Sequence, residues 1–213
     1  VVGVLDVGHD ERGPFLIMEY VEGVTLQQVL KQRASTLPLQ IALRIFLQVC
    51  EGLAAAHALR DPSGQNLGLV HRDISPSNIL LDLHGMVRLS DFGIARATGR
   101  SFKTSTGVVK GKLGYLAPEV LRFERPTQAA DLFALGVTAY ELFSGRRLYR
   151  SSDEYETAQR IMNEAPPDLG MERDDAPIEL VDLLFRLMAK DASDRPESAA
   201  SVAEVLRGLL DAL

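Results

Sequence analysis

Residues 71 to 93, HRDISPSNILLDLHGMVRLSDFG, constrain this chain more than any other stretch. His71-Arg72-Asp73 leads to Asn78, then to an apolar run Ile79-Leu80-Leu81, a turn at Asp82 to Gly85, an alternation Val87-Arg88-Leu89, and Asp91-Phe92-Gly93. Short β-favouring runs bounded by turn residues read as a loop, a hairpin and a second loop. Such a hairpin gathers Asp73, Asn78 and Asp91 at its open end. Two carboxylates and an amide are hard oxygen donors and proton acceptors. That set suits Mg²⁺ and phosphate better than a metal bound by thiolate or imidazole.

With 213 residues the chain can bury a sizeable core, and 46% hydrophobic with 24% charged is the balance of an ordinary globular domain. No run of 18 apolar residues occurs, so no membrane contact is expected in this segment. The net charge of -6 argues against a nucleic-acid footprint. Cys50 is the one cysteine; it cannot form an internal disulfide, reads as a small buried apolar residue, and fits a reducing, cytoplasmic setting. Val1 opens inside an apolar stretch without a positive flank, which predicts neither a signal peptide nor a native start, so the chain is expected to begin in mid-domain.

The opening reads as two strands, Val1 to Val7 and Phe15 to Tyr20, joined by a polar turn over residues 8 to 14. A short helix is predicted over residues 24 to 34, with Leu26, Val29 and Leu30 on one side. A long one opens at Leu37-Pro38 and runs to Ala58, its apolar positions Ala42, Ile45, Phe46, Val49, Leu53 and Ala56 recurring at three and four. Residues 61 to 66 form a polar loop that reads as a surface insertion. From Ala129 to Phe143 the pattern is apolar nearly all round, which predicts a helix in the middle of a domain, ended by Ser144-Gly145. Three more helices are expected over Tyr155 to Asn163, Ile178 to Met188 and Ala199 to Leu213.

Joined by Ala117-Pro118-Glu119, the ordered set HRD, Asn five residues after the Asp, and DFG resembles the Ser/Thr protein kinases of bacterial, eukaryotic-like type, with wording similar to myxobacterial members. The resemblance covers almost the whole chain. It implies an α+β, protein-kinase-like fold, mainly the helical large lobe plus a two-strand remnant of the small lobe and the hinge. Residues 1–21 would be that remnant, strands four and five with the hinge, and residues 22–213 the large lobe. A glycine-rich loop, its paired lysine and a helix glutamate are missing from these residues, and Lys31 is no substitute because it follows the hinge. The implied activity of the complete gene product is ATP- and Mg²⁺-dependent transfer of the γ-phosphoryl group to Ser or Thr hydroxyls of a protein substrate, with these residues inactive alone. Two other classes compete: a non-catalytic scaffold, and a small-molecule kinase of the same architecture, which has no reason to carry the Ala117-Pro118-Glu119 motif.

By the same resemblance Asp73 is the catalytic base, and Asn78 and Asp91 bind Mg²⁺. Met18 guards the back of the nucleotide pocket, Glu19 to Val21 form the hinge that meets adenine, and Leu80 is its floor. His71 stacks with Phe92, Gly93 frees the following turn, and Arg72 pairs with a phosphate on Ser101, Thr104, Ser105 or Thr106. Glu119 pairs with Arg195, and Asp131 bonds the backbone of the HRD turn. Two positions depart from the family pattern. Ser75 stands where lysine is common, and Lys112, in Gly111-Lys112-Leu113-Gly114-Tyr115, stands where threonine is common. Lysine and hydroxyl have changed places, so Lys112 is expected to reach back toward Asp73 with Ser75 as its hydroxyl partner.

Overall fold

The computed structural model describes residues 1–11, 13–32, 36–92, 112–149 and 151–213. Strands β1 (Val4–Asp10) and β2 (Gly13–Met18) pair antiparallel. The ladder runs on through Gly8↔Phe15 and His9↔Pro14 to Asp10↔Gly13. The turn is therefore shorter than the polar stretch from residue 8 to 14 implied. A backbone ladder places no demand on side-chain polarity where its faces meet solvent, and most of β1 is exposed.

β3 (Gly23–Thr25) lies at the start of the segment read as helix, and α1 (Leu26–Gln32) correspondingly begins at Leu26. Thr25 is where the two meet. Its backbone pairs with Leu80, while Gln28 N donates to Thr25 Oγ1 at 3.2 Å and Thr25 N donates to Gln28 Oε1 at 2.8 Å, a reciprocal cap on the first turn. α2 (Leu39–His57) follows. Among the described residues it is the one helix long and apolar enough to cross a membrane by length and composition alone. Its apolar side, Ala42, Leu43, Phe46, Val49, Cys50 and Leu53, is nevertheless buried inside the fold. Phe46 meets Phe143 edge to face at 5.8 Å.

β4 (Ile79–Asp82) and β5 (Val87–Leu89) form the expected hairpin, with Ile79↔Leu89, Leu80↔Arg88 and Leu81↔Val87 in register, and β3 adds to the other side of β4. Val2 N donates to Leu89 O at 2.8 Å, tying the first strands to this second sheet. Beyond it come α3 (Pro118–Leu121), α4 (Gln128–Ser144), α5 (Glu154–Asn163), α6 (Ile178–Leu187) and α7 (Ala199–Asp211).

Helix α4 is the axis of the fold. Every residue from Ala130 to Ser144 is buried, and it contacts α2 and α6. Burying each Leu or Phe of such a helix stabilises by roughly 1.5–3 kcal/mol, which makes α4 a rigid mount for whatever it carries. It stops where Gly145 takes the left-handed conformation, φ 70°, and donates back to Glu141 O. The result is a mainly helical body with two small sheets, a protein-kinase-like α+β fold.

Candidate functional site

The hairpin β4–β5 brings Asp73, Asn78 and Asp91 to one end. Ser90 N donates to Asn78 O at 2.9 Å, extending the ladder one step past the strands, so Asn78 and Asp91 flank the same mouth. Asn78 belongs to a single 3₁₀ turn, Pro76–Asn78. From there its amide nitrogen donates to both Asp73 O at 2.7 Å and Asp73 Oδ2 at 2.8 Å. The same Oδ2 accepts from Lys112 Nζ at 2.5 Å. One carboxylate oxygen is thus held by an amide and an ammonium. The other, Oδ1, has no hydrogen-bond partner among the described residues and stays open to an incoming donor.

Ser75 is placed differently from its expected partnership with Lys112. It is buried, and its hydroxyl meets Ser77 Oγ at 2.9 Å. Extended backbone at Ser75, φ -165° and ψ 161°, precedes the 3₁₀ turn, and the closest hydroxyl is then the one two residues along. Lys112 and Ser75 meet at Asp73 and its loop, not each other.

Asp131, on α4, pins this loop. Its Oδ2 accepts from His71 N at 2.7 Å and lies 2.8 Å from His57 Nε2, while Oδ1 accepts from Arg72 N at 2.8 Å. A carboxylate that is 1% exposed is tolerated because both oxygens are saturated by donors. Arg72 itself sits at φ 67° and Asp91 at φ 57°, left-handed backbone that side chains other than glycine enter at a cost of about 1–3 kcal/mol. Two such residues on either side of one mouth mark a site whose surroundings dictate its shape. His71 is fully buried with its ring 4.3 Å from that of Phe92. Burial lowers its pKa, against the opposing pull of Asp131 and Asp73, which favours the neutral imidazole. Its Nδ1 accepts from Asp73 N at 3.3 Å, and its Nε2 has no partner among the described residues.

The remaining expected site residues fall at the edges. Met18 ends β2 and is exposed; Glu19 Oε1 accepts from Gly3 N and from Arg88 Nη1, both at 2.9 Å; Val21 and Leu80 are half-buried. Gly93, Ser101, Thr104, Ser105 and Thr106 lie outside the described residues. Among the described residues no group of three or more His, Cys, Asp or Glu side chains is set to hold a metal. Mg²⁺ needs fewer protein ligands than that, since it keeps waters and phosphate oxygens. Asn78 Oδ1 and the exposed Asp91 carboxylate have the right donor chemistry for it.

Asp73 also lines a cavity of about 170 Å³, together with Arg72, Lys112, Tyr115 and apolar residues of α3 and α4. Its wall is braced by Glu119, which Arg195 grips with two nitrogens at 2.7 and 2.8 Å. Burial works to raise the Glu119 pKa, but the Arg195 hydrogen bonds and charge prevail and it is lowered. Gly114, next to Tyr115, packs so closely that a Cβ there would lie 2.6 Å from Tyr149 O. Tyr115 donates to Glu141 Oε2 at 2.8 Å, and Arg147 Nε is 3.7 Å from Glu141 Oε1. Burial pushes the Glu141 pKa up to about 7.

Glu141, Tyr115, His57 and Ser77 escape the sequence reading. The signal for Glu141 was available: like Asp131, it is an acid within an otherwise apolar helix, and such an acid demands a partner.

A family model described as protein kinase domain matches residues 1–206. The chain is 36% identical to a tyrosine-protein kinase, MasK, of Myxococcus xanthus, over 99% of this chain and 33% of that protein. It is 34% identical to the serine/threonine-protein kinase PknL of Mycobacterium tuberculosis, over 100% of this chain and 51% of the relative. With the serine/threonine-protein kinase PknK of the same species the identity is 38%, over 97% of this chain and 18% of the relative. The chain therefore spans about half or less of the length of these relatives.

Proposed function

Because the chain belongs to the protein kinase domain family, we propose that the gene product carrying it transfers the γ-phosphoryl group of ATP to Ser and Thr hydroxyls of a protein substrate. The single observation that carries this reading is the Asp73 carboxylate, with Oδ2 fixed by Asn78 and Lys112 and Oδ1 open beside a cavity. In this reading Oδ1 accepts the proton of the acceptor hydroxyl as the new bond forms, and the fixed Oδ2 keeps the carboxylate aimed. Lys112 supplies a positive charge next to the acceptor, where phosphoryl charge has to be balanced. Asn78 and Asp91 would hold Mg²⁺, which with ATP supplies the transferable group and neutralises its oxygens. Met18, Glu19 to Val21 and Leu80 would border adenine. Arg72, next to Asp73, would receive a phosphate from one of Ser101, Thr104, Ser105 or Thr106.

No G-x-G-x-x-G sequence occurs in the 213 residues, so on their own they should hold ATP feebly and transfer negligibly. The similarity to the Myxococcus kinase supports a myxobacterial type. We place the protein in the cytoplasm, where ATP is available and the buried thiol of Cys50 stays reduced. The test is phosphoryl transfer from labelled ATP to a generic basic protein by the gene product, followed by phosphoamino-acid analysis. Phosphoserine and phosphothreonine are expected. Phosphotyrosine as the main product, the chemistry in the name of the Myxococcus relative, would replace the acceptor class, and no transfer with Mg-ATP bound would favour a scaffold.

A further inference from the structure

A second cleft, of about 250 Å³, adjoins the cavity beside Asp73. It is lined by Lys31, Pro76, Glu141, Arg146 and Arg147 among others, and Tyr115 lines both spaces. Pro76 stands three residues after Asp73 in the same loop. A peptide spans about 3.3 Å per extended residue, so a chain whose hydroxyl rests at Asp73 has residues close in sequence within reach of this cleft.

The charges in the cleft are unequal. Among the described residues that line it, Glu141 is the one carboxylate against three cations. That carboxylate is 7% exposed, and its two oxygens already face the Tyr115 hydroxyl and the Arg147 guanidinium. Arg147 also lies over the Tyr115 ring at 5.6 Å, so Glu141 and Arg147 are committed to the floor. Burial holds the Glu141 pKa near 7, which reduces its negative charge further at neutral pH. The rim is cationic. Lys31, in the last turn of α1, is exposed and has no hydrogen-bond or ion-pair partner among the described residues. Arg146 is 71% exposed at its side chain and shares its charge with Glu172 at 2.7 Å, outside the cleft lining. It is held in place because Gly145 ends α4 in the left-handed conformation and Arg146 N donates to Ser144 Oγ at 3.1 Å.

We propose that this cleft is a substrate subsite that selects an anionic side chain, a carboxylate or a phosphorylated residue, near the acceptor hydroxyl, through Lys31 and Arg146. This rests on the phosphotransfer reading above and names the substrate class for it. The opposite assignment, a basic residue bound by Glu141, would bring a cation among Lys31, Arg146 and Arg147 toward a carboxylate whose oxygens are already engaged.

The test uses the gene product and peptides with one serine, into which a glutamate, a phosphoserine or an arginine is walked from three residues before to three after. Glutamate or phosphoserine at one position should raise kcat/KM by about 10-fold over an uncharged peptide, the order of one charge-assisted contact at a half-open surface, and the gain should shrink as salt is raised. The two anionic arms tell which source is preferred. Lys31→Glu, an exchange on an exposed helix turn, and Arg146→Ala should each erase most of the gain while leaving the uncharged peptide unchanged. A preference for arginine, or an anionic preference that survives both substitutions, overturns the subsite. Transfer to every peptide alike overturns it and leaves the phosphotransfer reading standing, whereas transfer to none overturns both.

Discussion

Lys112 Nζ and Asn78 Nδ2 converge on one atom, Asp73 Oδ2, at 2.5 and 2.8 Å. The two donors come from segments 34 residues apart in the chain (112 minus 78), one just ahead of a hairpin strand and one at the entry to the Leu113–Tyr115 turn. The ammonium fixed there also lines the cavity beside Asp73.

Lys112→Ala should therefore lower turnover of the gene product by roughly 100-fold, the effect of removing one preorganised charge or donor, with a much smaller change in ATP affinity. Because Ser75 bonds Ser77 and not Lys112, any communication between the exchanged positions has to pass through Asp73. Ser75→Lys with Lys112→Thr should still recover activity beyond the product of the single effects, with a coupling of about 0.5–3 kcal/mol. A double-mutant cycle on kcat/KM measures it, and a coupling near zero would make the exchange a coincidence.

The parts of this site that were legible in the sequence are those where chemistry forces a residue type. Asp131 stood out as an acid in an apolar helix, and its bond to the backbone of the HRD turn, implied by the family resemblance, is made to His71 and Arg72. Glu119 and Arg195 are 76 residues apart, and their contact was legible only through the family resemblance, since nothing local in either segment points to the other. The hairpin β4–β5 was legible because apolar alternation and the turn at Asp82 to Gly85 agree. What escaped was set by partners, not by local pattern. Residues 23–25 became a strand because β4 offered an open edge, and Ser75 turned to Ser77 because the 3₁₀ turn brought that hydroxyl closer than Lys112. Glu141 was hidden by the apolar run around it, although the same reasoning that singled out Asp131 applied.

Asp73→Asn should reduce turnover by roughly 10²–10⁴-fold while leaving ATP binding nearly unchanged. The amide keeps the size of the side chain but cannot take a proton: with its oxygen kept toward Asn78 and Lys112, its N–H would occupy the position of Oδ1, where the proton has to be accepted. Calorimetric ATP titration and steady-state kinetics on the same preparation separate the two effects. A large loss of nucleotide affinity with transfer preserved would reassign Asp73 to the nucleotide.

Arg195→Ala should destabilise the protein by about 3–5 kcal/mol, read as a lower urea midpoint, because it strands a buried carboxylate. Arg195 also donates to Ala129 O at 2.8 Å and Ala189 O at 3.0 Å, so three segments lose their tie at once. Lysine should not rescue it, since one ammonium cannot reproduce the paired contacts with both oxygens of Glu119. A lysine variant as stable as the parent would show that charge alone suffices.

Glu141 gives stability a pH dependence of predictable sign. Burial raises its pKa from 4.5 to about 7, and the Tyr115 hydrogen bond and the Arg147 charge offset only part of that. The folded protein thus keeps a proton that the unfolded chain has released. The stabilisation is present in full below pH 4.5 and is lost as pH rises through about 7, a change on the order of a few kcal/mol. Glu141→Gln keeps an oxygen for the Tyr115 hydroxyl and has no proton to lose. Urea midpoints of the two proteins, measured from pH 5 to 8, should diverge, with the parent falling relative to the glutamine variant as pH rises. Parallel curves would mean that the carboxylate is already ionised at pH 5, with Arg147 compensating it more fully than the 3.7 Å separation implies.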